Sequence, residues 1–331
     1  MSDADMLHKR VLLVAPKFFG YEVEIQKELE RRGAEVTFLS DRPFSSSVLK
    51  AVARVFRPAI SWYSEKKLAE KIREFSDAKF GIVFVVIGEA FTPTILEQLR
   101  KQNPGAKFVL YMWDSFGNKK YVKKNLAYFD VVSTFDRGDA SSYNLKFRPL
   151  FYVPGYSESG KIPSEFDLSF VGTAHSDRYQ VVKSVRAALP PNVRTFFFLF
   201  LQAPWVYTVR RLLDRKMAGS QRKDFSFNSI SKDRVQLIFS QSLAILDIEH
   251  PKQTGLTMRT FEALGAEKKL ITTNPQVIDY DFYDPANILV FKRGDKLKVP
   301  DDFFSTPYKP LSKSLKDKYS LSGWLDEVLG L

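Results

Sequence analysis

The chain contains no cysteine, which excludes disulfide frameworks, thiolate zinc sites and cysteine nucleophiles together and fits a reducing compartment. Histidine is scarce. His8, His175 and His250 are the only three in 331 residues, at no spacing that builds a metal site, so metal-independent chemistry is expected. Long apolar runs are missing as well: nothing approaches the ~18 residues a membrane-spanning helix requires. The opening MSDADMLHKR has no apolar signal core, so the chain reads as cytoplasmic and non-spanning. No Gly-rich dinucleotide fingerprint is present, which removes support for a nicotinamide cofactor.

What is present is core material and positive charge. Apolar residues make up 44% of the chain, with 29 Phe and 14 Tyr, so disorder is not expected. The length suits two domains of about 150 residues each. Lys and Arg number 50 against 38 Asp and Glu, a net charge of +12, which suits an anionic partner: nucleic acid, a phospholipid surface or a phosphorylated substrate. Nucleic acid is disfavoured because no recognised binding motif occurs and the aromatic residues fall inside predicted strands.

Short apolar runs alternate with helix-compatible segments from the start: RVLLVAP (10–16), AEVTFLSD, FGIVFVVIGE (80–89), KFVLYMWDS (107–115) and FDVVSTFD (129–136). Near-continuous apolar strands separated by helices predict a parallel sheet covered on both faces. A Pro-, Gly- and Ser-rich stretch (148–167) is the candidate linker, with the boundary near residue 155. The alternation then resumes with FDLSFVGTAH (166–175), VRTFFFLFLQ (193–202), LAILDI (243–248), KKLITT (268–273) and NILVFK (287–292). The fold class predicted is α/β, two Rossmann-like doubly wound domains: 1–155, and 156–331. The final helix, with Trp324, Leu325, Val328 and Leu329 on one face, is a candidate to pack back on the first domain. Ligands of such sheets bind beyond the carboxyl ends of the strands, which the two domains would turn toward a common central cleft.

Two post-strand stretches carry chemistry. In VGTAHSDRY, Gly172 and Thr173 allow backbone approach to a phosphate, His175 follows, and Arg178 offers a bidentate fork. The same residues also make an ordinary strand-to-helix turn with Ser176 as N-cap. In DIEHPKQTGLTMRTFEALGAEKKLITTN, Gly255, Leu256 and Thr257 turn into a helix whose Arg259 and Glu262 lie three apart and share a side. The arginine and first-turn amides suit a diphosphate, and the glutamate suits two ribose hydroxyls. A surface ion pair between them is the plain alternative. Upstream, His250, Lys252 and Gln253 occupy a polar loop.

These stretches, with YMWDS and FDRGDA earlier, resemble bacterial glycosyltransferases of the GT-B architecture that assemble capsule and lipopolysaccharide. The resemblance spans most of the chain and is most specific over 243–283. It implies that the second domain binds a nucleotide-sugar donor, UDP type, as a substrate and without a cofactor, and that Glu262 holds the ribose. It implies a surface-polysaccharide or lipid-linked glycan acceptor on the first domain. Thr254 stands where many retaining members carry a second glutamate, and their Arg and Lys pair has no recognisable motif here, so both stereochemical outcomes stay open.

Inverting transfer requires a base for the acceptor hydroxyl. Glu89, Asp114 and Asp136 each close a predicted strand, and Asp114 and Glu89 are preferred because Trp113 is placed to stack on a sugar ring. Each alone is more often a turn or N-cap residue, but three at successive strand ends favour a functional part. A glycosidase with paired carboxylates is disfavoured by the two-domain pattern. A non-catalytic nucleotide-sugar binding protein and a sugar-nucleotide epimerase remain as alternatives.

Two basic stretches carry apolar residues at helical spacing. In 45–68 these are Val48, Leu49, Val52, Val55 and Phe56 among Lys50, Arg54 and Arg57; in 205–223 they are Trp205, Val209, Leu212 and Leu213. Such faces either pack on their own domain or lie on an anionic membrane, and the first is the candidate membrane contact, on the inner face of the cytoplasmic membrane.

Overall fold

A computed structural model describes residues 6–41, 57–75, 78–157, 162–251 and 254–331. The chain divides into two compact units, Met1–Pro149 with Leu321–Leu331, and Leu150–Ser320. Each is an α/β unit built on a parallel sheet.

The first sheet has six strands: β1 (Arg10–Ala15), β2 (Glu35–Ser40), β3 (Ile82–Val86), β4 (Lys107–Met112), β5 (Val131–Thr134) and β6 (Lys146–Phe147), in the order β2-β1-β3-β4-β5-β6. Every pairing is parallel. β3 is buried throughout and β4 from Phe108 onward, as their apolar runs require when helices cover both faces. Thr92 caps the helix Pro93–Gln102, and its leucines and Ile95 enter the core beside Phe108 and Leu110. The chain leaves β1 for β2 on one side and resumes at β3 on the other, so the crevice beyond β1 and β3 is the topological switch point.

The C-terminal helix Leu321–Leu329 belongs to this unit. Trp324, Leu325, Val328 and Leu329 are fully buried; the Trp324 ring lies edge-on to Tyr111 at 4.7 Å and 5.9 Å from Phe84. Arg32 fixes the helix from outside, donating to Asp326 (2.6 Å) and to the Ser322 carbonyl (2.8 Å). Burial of the four apolar side chains supplies about 1.5–3 kcal/mol apiece.

The second sheet has five strands: β7 (Phe166–Thr173), β8 (Thr195–Phe200), β9 (Ser242–Asp247), β10 (Lys269–Thr272) and β11 (Ile288–Val290), in the order β11-β10-β9-β7-β8. Its switch point lies between β7 and β9. The core gathers Leu168, Phe170, Val182, Val185, Leu246 and Ile271. Residues 150–156 are part of this packing: Leu150, Phe151, Tyr152 and Val153 are buried, and a Cβ at Gly265 would stand 2.5 Å from the Tyr152 ring.

The basic stretch from Trp205 forms a helix only to Leu213. Asp214 then accepts from the Lys216 amide (3.0 Å) and starts a separate 3-10 turn. In the other basic stretch, Val48, Leu49, Lys50, Val52, Arg54, Val55 and Phe56 lie outside the described residues, as do Lys252 and Gln253. No helix among the described residues is long and apolar enough to cross a membrane.

Candidate functional site

In the second unit the two chemistry-bearing stretches meet at the switch point. Gly172 and Thr173 close β7, and Arg178 begins the helix Arg178–Ala188. Asp177 occupies the N-cap position in place of Ser176, whose φ of 53° is left-handed, and no side chain caps the helix. Across the crevice, β9 ends at Asp247 and the chain turns through Gly255 and Leu256 into the helix Met258–Gly265, whose N-cap residue Thr257 also makes no side-chain cap bond. Two helix starts flanking a switch point, neither closed by its own side chain, offer amides and positive dipole ends to an anion.

The guanidinium groups supply the charge. Arg178 lies 6.0 Å and Arg259 5.2 Å from the Phe170 ring centre. Arg178 donates to the carbonyls of Ile248 (2.9 Å) and Thr173 (3.3 Å), and Arg259 keeps a buried Nε without a hydrogen-bond partner. Neither pairs with a carboxylate among the described residues. Burial and the Arg259 charge pull Arg178 down to about 10. Asp247 and Glu249 oppose this at Arg178 only in part, so an anion entering the crevice would relieve the remaining repulsion.

His175 sits in the same field, its ring 5.7 Å from that of His250. Burial first, then Arg178, His250, Arg210 and Arg259, pull it down to about 3, so at neutral pH it is an uncharged imidazole. Gly172 is required by space: a Cβ there would stand 2.9 Å from Phe170 and 3.4 Å from the Arg178 guanidinium.

Glu262 is buried and does not form the ion pair with Arg259 that their spacing allows. It accepts instead from the Tyr156 hydroxyl at 2.9 Å. Burial and the Glu262 charge raise the Tyr156 phenol well above its ordinary value, so it remains a donor.

The loop that presents Arg259 is held mainly by residues that were not singled out in the sequence. Buried Asp247 accepts from the hydroxyls of Thr257 (2.7 Å), Thr260 (3.2 Å) and Thr272 (3.1 Å). Thr273 donates to Glu249, which also accepts from Arg293 (3.0 Å). Asn274 donates to the carbonyls of Thr254 and Gly255 (3.3 Å each). Thr-Thr-Asn at the end of β10 is therefore a three-point clamp on the end of β9 and its loop. Arg293 reaches on to Asp177 (2.6 Å), and Arg210 bonds the Ala174 carbonyl and Asp214. A charged residue ending the apolar run LAILD was the one visible sign of Asp247.

In the first unit, Glu89 follows β3 through two left-handed residues, Ile87 (φ 67°) and Gly88 (φ 71°). A β-branched residue in that region is strained, and a Cβ at Gly88 would stand 2.9 Å from Val85. The Glu89 amide donates to buried Asp41 (3.0 Å) and its carboxylate pairs with Lys119 (2.7 Å). Asp114 is half-buried after β4 and accepts from the Ser115 amide and Asn118 (2.9 Å each). Asp136 is buried and caps the helix Arg137–Tyr143 by accepting from the Asp139 amide (3.0 Å). Asp139, not singled out in the sequence, accepts from the Phe116 amide (2.7 Å); burial, with the charges of Asp136 and Asp114, raises its carboxyl. Trp113 stands 6.1 Å from Phe18, beside exposed Phe19, which gives this end of the sheet an aromatic wall. No group of three or more His, Asp or Glu among the described residues is arranged to hold a metal ion.

No protein-family model matches the chain, and no curated protein matches it. Solved structures do. A glycosyltransferase from Rickettsia africae ESF-5 is similar at TM-score 0.60 and 14% identity, over 98% of this chain and 97% of that one. HepE of Anabaena in complex with UDP-glucose is similar at 0.56 and 11%, over 98% and 99%. The lipopolysaccharide outer core galactosyltransferase WaaB is similar at 0.53 and 13%, over 97% and 99%. The shared property at these identities is the fold, two parallel α/β sheets along the whole chain.

Proposed function

We propose that the protein is a glycosyltransferase that takes a sugar from a nucleotide-activated donor, UDP type, and passes it to a surface-polysaccharide or lipid-linked glycan acceptor. The observation that carries this reading is the pair of guanidinium groups, Arg178 and Arg259, neither in an ion pair among the described residues, set between two helix starts at the second unit's switch point. A diphosphate matches that charge, and bidentate arginine contacts and helix amides match its oxygens.

In this reading the residues divide the work. Arg178, Arg259 and the amides after Gly172, Thr173 and Thr257 bind the diphosphate and stabilise it as it leaves. His175, as an uncharged imidazole, and His250 line the same end, and Gly255 and Leu256 shape the turn. Glu262, shared with Tyr156, accepts from the ribose hydroxyls. In the first unit Asp114, with Glu89 beside it, takes the proton of the acceptor hydroxyl as that oxygen bonds the anomeric carbon, while Trp113 stacks on a sugar. Asp136, already occupied as an N-cap, supports the Asp114 region. Sharing a fold with HepE in its UDP-glucose complex supports the donor class, and likeness to WaaB supports a surface-glycan acceptor.

The test is release of UDP from UDP-sugars with and without glycan acceptors. Acceptor-dependent UDP release establishes transfer. UDP-sugar binding without release identifies a sensing protein, and interconversion of sugars without acceptor identifies an epimerase.

A further inference from the structure

The helix Pro204–Leu213 presents an apolar face that its own unit does not use. Val206 and Tyr207 turn inward onto the core; the Tyr207 ring lies 5.5 Å from Phe225 and its hydroxyl donates to the Ser220 carbonyl (3.0 Å). Arg210 holds the same side through the Ala174 carbonyl and Asp214. With that side anchored, Trp205, Val209, Leu212 and Leu213, spaced as one helical stripe, point away. They are 66%, 44%, 79% and 81% exposed. Four of the twelve large exposed apolar side chains among the described residues thus fall on one ten-residue helix, which makes a patch rather than scatter.

Charge selects the occupant. Arg211, Arg215, Lys216, Arg222 and Lys223 are exposed around and beyond the stripe. Asp214 is the one acid between Pro204 and Lys223, and it is paired with Arg210 at 3.1 Å. A second copy of this chain would bring the same basic rim, and a net charge of +12, against itself. An anionic bilayer satisfies both features: its surface attracts the cations, its acyl boundary takes leucines, and the interface suits tryptophan.

We propose that the Pro204–Leu213 helix seats the protein on anionic lipid, lying in the plane of the interface with Trp205, Leu212 and Leu213 inserted. This assignment does not depend on glycosyl transfer. It adds a membrane contact on the second unit to the 45–68 stretch expected from the sequence.

The experiment is co-sedimentation of the full chain with phosphatidylcholine vesicles carrying phosphatidylglycerol, and with phosphatidylcholine alone. Trp205 emission quenched by brominated acyl chains reports insertion, with Trp205→Phe as control. Wild type should bind the anionic vesicles, lose binding in high salt, and ignore the neutral ones. Leu212→Ser/Leu213→Ser, at exposed positions, should weaken binding roughly a hundredfold with the wild-type Tm. Equal binding by that double variant, or no binding by wild type, overturns the proposal. So does a concentration-dependent wild-type dimer that the double variant abolishes, which would assign the stripe to a second copy.

Discussion

Arg178 and Arg259 share one aromatic ring, that of Phe170, at 6.0 and 5.2 Å, and neither forms an ion pair with a carboxylate among the described residues. Their mutual repulsion, opposed at Arg178 by Asp247 and Glu249, should be relieved further by a bound anion. Replacement of Arg259 by Met, which keeps bulk and removes both the charge and the partnerless Nε, should leave the unliganded protein as stable or up to about 1 kcal/mol more stable. The same change should weaken UDP by about 1.5–3 kcal/mol, roughly 10- to 150-fold. Thermal denaturation with and without UDP reads both signs.

His175 provides a pH signature. Its folded value of about 3 lies below the unfolded value of about 6.5, so between the two the unfolded chain binds the extra proton. Its contribution to stability is fully present above pH ~6.5 and is lost as pH falls toward 3. His175→Gln should flatten that part of the stability profile, and NMR of the imidazole should show it neutral through pH 5. A bound diphosphate, by offsetting the arginines, should raise its value.

Asp247 is a positioning residue. Asp247→Ala leaves three threonine hydroxyls without their acceptor and frees the start of the Met258–Gly265 helix. A loss of about 2–4 kcal/mol in chemical denaturation is expected, with UDP affinity falling alongside it. Thr257→Val removes one of the two bonds, with that of Thr260, that tie the helix start to β9 and should cost less stability than affinity.

The first-unit carboxylates separate by role. Asp114→Asn should abolish transfer with UDP affinity retained. Asp136→Asn, which caps as well as Asp, should preserve both folding and turnover, while Asp136→Ala should cost about 0.5–2 kcal/mol of stability. Steady-state kinetics beside melting curves check the three variants; a turnover defect in Asp136→Asn would give that residue a chemical part.

Much of the fold was legible because buried parallel strands announce themselves as unbroken apolar runs, as in RVLLVA, IVFVV and LAILD. The short β6, Lys146–Phe147, has no such run and was not legible. Arg259 and Glu262 were visible as a helical pair, yet the ion pair their spacing suggests is replaced by a bond from Tyr156, over a hundred residues away and inside a stretch that reads as linker. Arg210, Arg293 and Glu249 reach the site only through tertiary structure, across separations that no local pattern encodes. The stripe on Pro204–Leu213 was readable as amphipathic, but periodicity alone does not say whether a face meets its own core or solvent; here Val206 and Tyr207 anchor one side and leave the other bare.

The most direct test of the nucleotide site is isothermal titration of UDP into wild type and into the Arg178→Met/Arg259→Met variant. Saturable binding to wild type, at one site per chain and lost in the folded variant, is the predicted result. Equal affinity for both proteins, or no heat from wild type, would contradict the assignment of the switch-point arginines to a nucleoside diphosphate.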